Sequence, residues 1–177
     1  MNKMHPCPYY ANMQMHSCPC GFNPGGFYFD EEEKNTYIKL KDYGPQPFVV
    51  NIEEATLQND NFRTALWTGT HLQVTLMSIG VGEDIGLEMH PDVDQFLRIE
   101  EGQGLVKMGS RKDKLDFQDK AYDGYAILIP AGTWHNLINT GRKPLKLYSI
   151  YAPPNHPKGT VHETKADAEA AEMAHNR

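Results

Sequence analysis

Glu88 and His90 stand two residues apart, and that spacing on an extended strand sends both side chains to one face. Gln95 follows a Pro91-Asp92 turn that folds it back beside them, and Leu97 and Ile99 share its face, so that face can line an apolar interior. His135 begins another short stretch just after the Pro130-Ala131-Gly132 turn. Four polar side chains converging in an apolar interior need partners, and one divalent transition metal satisfies them together. Two imidazoles with one carboxylate suit Zn(II), Fe(II), Mn(II) or Ni(II), so Glu88, His90, Gln95 and His135 form the expected metal set. Gln95 is a weak neutral ligand, and it either binds directly or hydrogen-bonds a metal-bound water. Asp94 takes its place only if the turn is one residue shorter, which would aim Phe96 and Arg98 inward; strand parity therefore favours Gln95. The bland alternative is that no metal binds and these residues merely line the mouth of a pocket.

The elements that must position these residues follow from turn signals. Residues 1–50 read as an irregular arm rich in Cys, Met and His at its start. Residues 51–154 combine a helix with many short strands. Asn51 caps a helix over about 51–66, Glu53 and Glu54 favour its positive end, and Ile52, Ala55, Phe62 and Leu66 share a buried face. Strands are expected at 72–79, 85–89, 95–100, 104–108, 115–118, 125–129, 135–139 and 145–152, separated by Gly- and Pro-containing turns. So many short strands without intervening helices indicate an all-β sandwich or barrel. After Pro153-Pro154 the chain leaves the sheet, and residues 155–177 form a tail in which Thr164 and Asp167 cap an alanine-rich helix running to about Met173.

Two glycine-bounded segments carry a family resemblance. Gly124, Pro130, Gly132, His135 and Asn139 fit G-x5-P-x-G-x2-H-x3-N at every fixed position. Gly82, His90 and Gly102 keep the spacing of G-x5-H-x-H-x4-E-x6-G, with Glu88 in place of the first histidine and Gln95 in place of the glutamate. The pair resembles the two signature motifs of the cupin superfamily over residues 70–152. The resemblance implies a double-stranded β-helix, a jelly-roll barrel, closed around the metal set. The two departures compensate, since a carboxylate replaces an imidazole and an amide replaces a carboxylate, leaving one formal negative charge. The resemblance also implies a homodimer joined through edge strands, and it extends to mannose-6-phosphate isomerase-like proteins. Glu88, or another pocket carboxylate, is then the catalytic base of a metal-dependent sugar isomerase acting on a small polar substrate. An Fe or Mn dioxygenase is the second enzymatic expectation, and a non-catalytic metal- or ligand-binding barrel the third. No phosphate-binding cluster is visible near the motifs, because Arg98 has the wrong parity and Lys146 has no evident place.

Composition narrows the partners. Seventeen Lys and Arg against 23 Asp and Glu give a formal charge of −6, a surface that repels nucleic-acid phosphates. No stretch approaches the roughly 20 apolar residues of a membrane span. Cys7, Cys18 and Cys20, all near the start, cannot staple the domain, and a cytoplasmic protein with reduced thiols is the simplest reading. His5, Cys7, His16, Cys18 and Cys20, with Met4, Met13 and Met15, could bind a soft metal, but their spacing is not that of a zinc finger.

Overall fold

The structure, a computed structural model, describes residues 37–175. The N-terminal Cys/His/Met cluster lies outside the described residues. Two antiparallel sheets enclose the core, as expected for a jelly roll. The larger has strand order β6-β3-β8-β2-β1-β9 and the smaller β5-β4-β7. In chain order the elements are α1 (Ile52–Gln58), β1 (Arg63–Thr68), β2 (Gln73–Ile79), β3 (Asp94–Glu101), β4 (Gln103–Gly109) and β5 (Phe117–Tyr122). There follow β6 (Ala126–Ile129), β7 (Trp134–Asn139), β8 (Leu145–Ala152), β9 (Val161–His162) and α2 (Lys165–His175).

Alternation of burial explains which faces meet. On β3, Gln95, Leu97 and Ile99 are buried while Asp94 and Arg98 are exposed. On β7, His135, Leu137 and Asn139 are buried between less buried neighbours, which turns Trp134 away from the interior. Ile79, Leu97, Ile99, Leu137, Leu145 and Leu147 fill the space between the sheets. Each such apolar side chain contributes about 1.5–3 kcal/mol by leaving water.

Several expectations are corrected. The helix is shorter: it begins at the Asn51 cap, whose Oδ1 accepts from the Glu54 amide at 3.2 Å, but it ends at Gln58. Asn59, Asp60 and Asn61 break it, because Asx side chains bond nearby groups in competition with the helix. Asn59 donates to the Asn61 carbonyl at 2.8 Å and accepts from the Thr64 hydroxyl at 2.8 Å. Phe62 therefore lies beyond the helix and Leu66 belongs to β1. The strand expected at 85–89 is reduced to two isolated bridges, Asp84 with Ile138 and Glu88 with His135. Gly86, at φ +95°, breaks the extended run, and its amide is held by Asp84 Oδ1 at 2.8 Å. Strand β5 sits later than expected, since as an edge strand it buries only Ala121 and offers no apolar alternation to read.

The flanks join the fold more closely than their composition suggests. Ile38, Leu40, Tyr43, Phe48 and Val50 pack with Leu66 and Leu76, and the Trp67 indole donates to the Gln46 carbonyl at 2.8 Å. The chain leaves the sheet after Ala152 but returns as β9, pairing Val161 and His162 with Thr64 and Arg63. Helix α2 starts at the expected cap, where Asp167 accepts from the Thr164 amide and hydroxyl at 2.9 and 2.8 Å. Ala168 of that helix is buried in the core.

Candidate metal centre

Backbone pairing brings the first two site elements together. Glu88 and His135 face each other as a hydrogen-bonded pair, with N···O distances of 3.1 and 2.9 Å. The amide of Gly132, a turn glycine at φ +75°, donates to the His90 carbonyl at 2.8 Å and fixes the neighbouring loop. Side-chain ligand atoms of Glu88, His90 and His135 then lie within 4.8 Å of one another. Glu88 Oε1 is 3.3 Å from His135 Nε2 and 3.5 Å from His90 Nε2.

Those distances are long for hydrogen bonds, and all three atoms are buried without a partner. The His135 tautomer is set by its surroundings. Its Nδ1 lies 2.9 Å from the Thr133 carbonyl, which can only accept, so Nδ1 carries a proton and Nε2 is the ring nitrogen turned towards Glu88. Gln95 is 4 % exposed and donates from Nε2 to the Ser149 hydroxyl at 3.1 Å, while its Oε1 is buried and unpaired. A carboxylate oxygen and two imidazole nitrogens within 4.8 Å of one another, unsatisfied among the described residues, fit a divalent cation. Burial by itself would raise the Glu88 carboxyl. The facing imidazoles of His135 and His90 and the Arg63 guanidinium reverse this and hold it well below the ordinary carboxylate range. The carboxylate is thus ionised, as a ligand must be.

Asp94 is excluded from the group: it is exposed, and its Oδ1 accepts from the Ala131 amide at 2.9 Å. Asn139 has the expected loop-holding role. Its Nδ2 faces the Ile79, Gly80 and Lys143 carbonyls at 2.9, 3.1 and 2.9 Å, and its Oδ1 accepts from the Gly141 amide at 2.8 Å. Neither basic residue considered from the sequence serves the interior. Lys146 is bound to Asp60 at 2.8 Å and to the Asn59 carbonyl, and Arg98 pairs with Glu100 at 3.3 Å. An open groove of about 360 Å³ lies on the outer face of the large sheet, lined by residues such as Phe96, Leu128 and Ile150.

Sequence reasoning missed three residues beside the centre. Arg63 is 1 % exposed on β1, and its charge bears on Glu88, Tyr151 and His156. Tyr151 stands opposite Gln95 in the β3–β8 register and meets the His90 ring edge-on at 5.8 Å. His156 packs edge-on against Tyr151 at 5.0 Å, and Gln73 clamps both its backbone amide and its carbonyl at 2.9 Å. Burial first, then the Arg63 charge, push the His156 imidazole down to about 3. Parity with Leu147 and Ser149 could have placed Tyr151 on the inner face. Arg63 carried no comparable signal, because its segment reads as helix.

The family model that matches is described as "Cupin domain" and covers residues 75–151. Among curated proteins, the chain is 74% identical over 141 residues to Uncharacterized protein YrkC of Bacillus subtilis, covering 80% of this chain and 75% of that one. It is 44% identical over 117 residues to Uncharacterized protein L612 of Acanthamoeba polyphaga mimivirus, covering 66% and 71%. The crystal structure of BH2720 from Bacillus halodurans superposes with a TM-score of 0.73 at 73% identity, covering 73% of this chain and 98% of that one. TT1209 from Thermus thermophilus shares the fold, with a TM-score of 0.51 at 19% identity over 59% of this chain and 96% of that one.

Proposed function

Because this chain belongs to the cupin family and brings Glu88, His90 and His135 together inside its barrel, we propose that it is a metal-dependent enzyme acting on a small polar substrate, with Gln95 as a fourth ligand. The observation that carries this reading is the convergence of buried, unpaired ligand atoms from Glu88, His90 and His135. A bound divalent cation supplies Lewis acidity, polarising a substrate oxygen. The favoured chemistry is isomerase-like, a proton shift between neighbouring carbons of a hydroxy-carbonyl compound.

Glu88 serves here as ligand, because a carboxylate held so far below its ordinary range accepts a proton poorly. The groups left to handle a proton are Tyr151 and His156. Burial raises the Tyr151 phenol, keeping it protonated, and its hydroxyl is without a partner. His156 is neutral, with Nε2 buried and unpaired; it becomes a stronger base when an anionic group offsets Arg63, the second cause of its depression. The two-histidine, one-carboxylate set equally suits Fe(II) with open positions for substrate and O₂, so a dioxygenase is the second reading.

The test is elemental analysis of the purified protein and of His90→Ala/His135→Ala, followed by incubation of the metal-loaded form with small aldoses and hydroxy-ketones in D₂O. Near-stoichiometric metal lost in the double variant, with metal-dependent deuterium entry at the carbon next to the carbonyl, is the expected result. Stoichiometric iron without deuterium entry moves the assignment to O₂ chemistry. A wild-type protein that holds no metal after reconstitution overturns the metalloenzyme reading.

A further inference from the structure

A cation at Glu88, His90, His135 and Gln95 leaves a second set of buried polar atoms beside it unsatisfied. Arg63 is sealed from solvent, yet among the described residues its Nε and Nη1 have no hydrogen-bond partner. Its nearest carboxylate outside the metal set is Glu172 of α2, 4.0 Å from Nη1, with a side chain 56% exposed; this contact is too long for a hydrogen bond. The Tyr151 hydroxyl lies beside Arg63 and Ser149, and His156 Nε2 is buried and unpaired among the described residues. Ring packing makes these neighbours continuous with the metal set, from His90 to Tyr151 at 5.8 Å and from Tyr151 to His156 at 5.0 Å.

This second set is rich in donors. Two guanidinium nitrogens, carrying three N–H groups between them, offer donors and no acceptor, and the phenol adds an O–H. Buried donors of this kind call for an acceptor-only, negatively charged group. If Arg63 served only to neutralise Glu88, its charge would be needed but its unpaired donors would be a standing cost. We infer that Arg63, with Tyr151, forms a carboxylate-binding subsite next to the metal centre, so that the ligand is a small organic acid held by its carboxylate at Arg63 and by its other oxygens near Glu88, His90 and His135. A phosphate group fits less well. Among the described residues Arg63 is the cation whose charge bears on this interior, while Lys146 and Arg98 are committed to Asp60 and Glu100. The subsite narrows the substrate class of the proposed enzyme and rests on that reading for its location, though anion binding is measurable without it.

The test is calorimetric titration of glycolate, its neutral analogue glycolamide and inorganic phosphate into zinc-loaded and metal-free protein. Wild type is compared with Arg63→Lys and Tyr151→Phe, with metal content and thermal unfolding recorded for each. Arg63→Lys keeps the charge but loses the planar fork. It is expected to weaken glycolate at least about tenfold with zinc content unchanged, while Tyr151→Phe, which removes one hydroxyl, weakens it by a smaller factor. Glycolamide is expected to bind at least about tenfold more weakly than glycolate to wild type. Equal glycolate affinity in Arg63→Lys and wild type overturns the inference, as does phosphate binding more tightly than glycolate. Should Arg63→Lys fail to fold, an unchanged glycolate affinity in Tyr151→Phe overturns it. Arg63-dependent glycolate binding by a protein that retains no zinc leaves the subsite standing and removes the metalloenzyme reading; zinc binding with no response to Arg63 does the opposite.

Discussion

Lowering the pH from about 7.5 to about 5 tests the enclosure of His156. Its imidazole is pushed down to about 3, against 6.5 when free, by burial and then by the Arg63 charge. The unfolded chain therefore binds a proton between these values and the folded chain does not. Stability is full above about 6.5 and falls as the pH drops towards 3, by about 1.4 kcal/mol per pH unit. At about pH 5 the unfolded histidine is almost fully protonated and the folded one is not, which removes about 2 kcal/mol. The ring cannot escape by a local backbone shift at small cost, because Gln73 holds both the His156 amide and carbonyl. Urea unfolding of chelated wild-type and His156→Gln protein at both pH values isolates the term, since carboxylates and the other histidines titrate in both. Wild type is expected to lose about 2 kcal/mol more than the variant over the interval. Equal losses in the two proteins would refute the buried, neutral His156 and with it the argument that burial, reinforced by the Arg63 charge, keeps the ring unprotonated.

Two further outcomes follow from single side chains. Gln95→Leu deletes the unpaired amide oxygen while keeping most of the volume, and metal affinity measured by competition with a chromogenic chelator is expected to fall about 10- to 100-fold; an unchanged affinity would mean that Gln95 serves Ser149 alone. Asn139→Ala leaves the carbonyls of Ile79, Gly80 and Lys143 without their buried donor, and a loss of about 3 kcal/mol in urea unfolding is expected. A loss below about 1 kcal/mol would show that these turns are held by something else.

The Glu88, His90 and His135 cluster, which could hold a metal, was partly legible in the sequence. Strand parity places Gln95 with Leu97 and Ile99 on the inner face of β3. Glu88 and His90, by contrast, sit outside any regular strand and are set by the Glu88–His135 bridge and the Gly132 amide on the His90 carbonyl. Turn glycines such as Gly132 mark where His135 re-enters a strand, and they occupy positive φ as such turns require. The helix over 51–66 was misjudged because Phe62 and Leu66 repeat at helical spacing, and only the Asn59–Asn61 turn, sealed by its own side chains, shows that the period belongs to two elements.

What the sequence by itself determined is the all-β barrel class, through short-range periodicity and turn chemistry, and it singled out Glu88, His90 and His135, whose ligand atoms the fold brings within 4.8 Å of one another. Tertiary structure alone decided what surrounds that group. Arg63, Tyr151 and His156 come from β1, β8 and the segment after it, and they meet only when β2 pairs with both strands across the sheet. It also decided the charge state of the interior, because the Glu88 titration depends on burial, the facing imidazoles of His135 and His90 and the Arg63 guanidinium, and that of His156 on burial and then Arg63. No periodicity in a chain reports which distant side chain will share its low-dielectric surroundings.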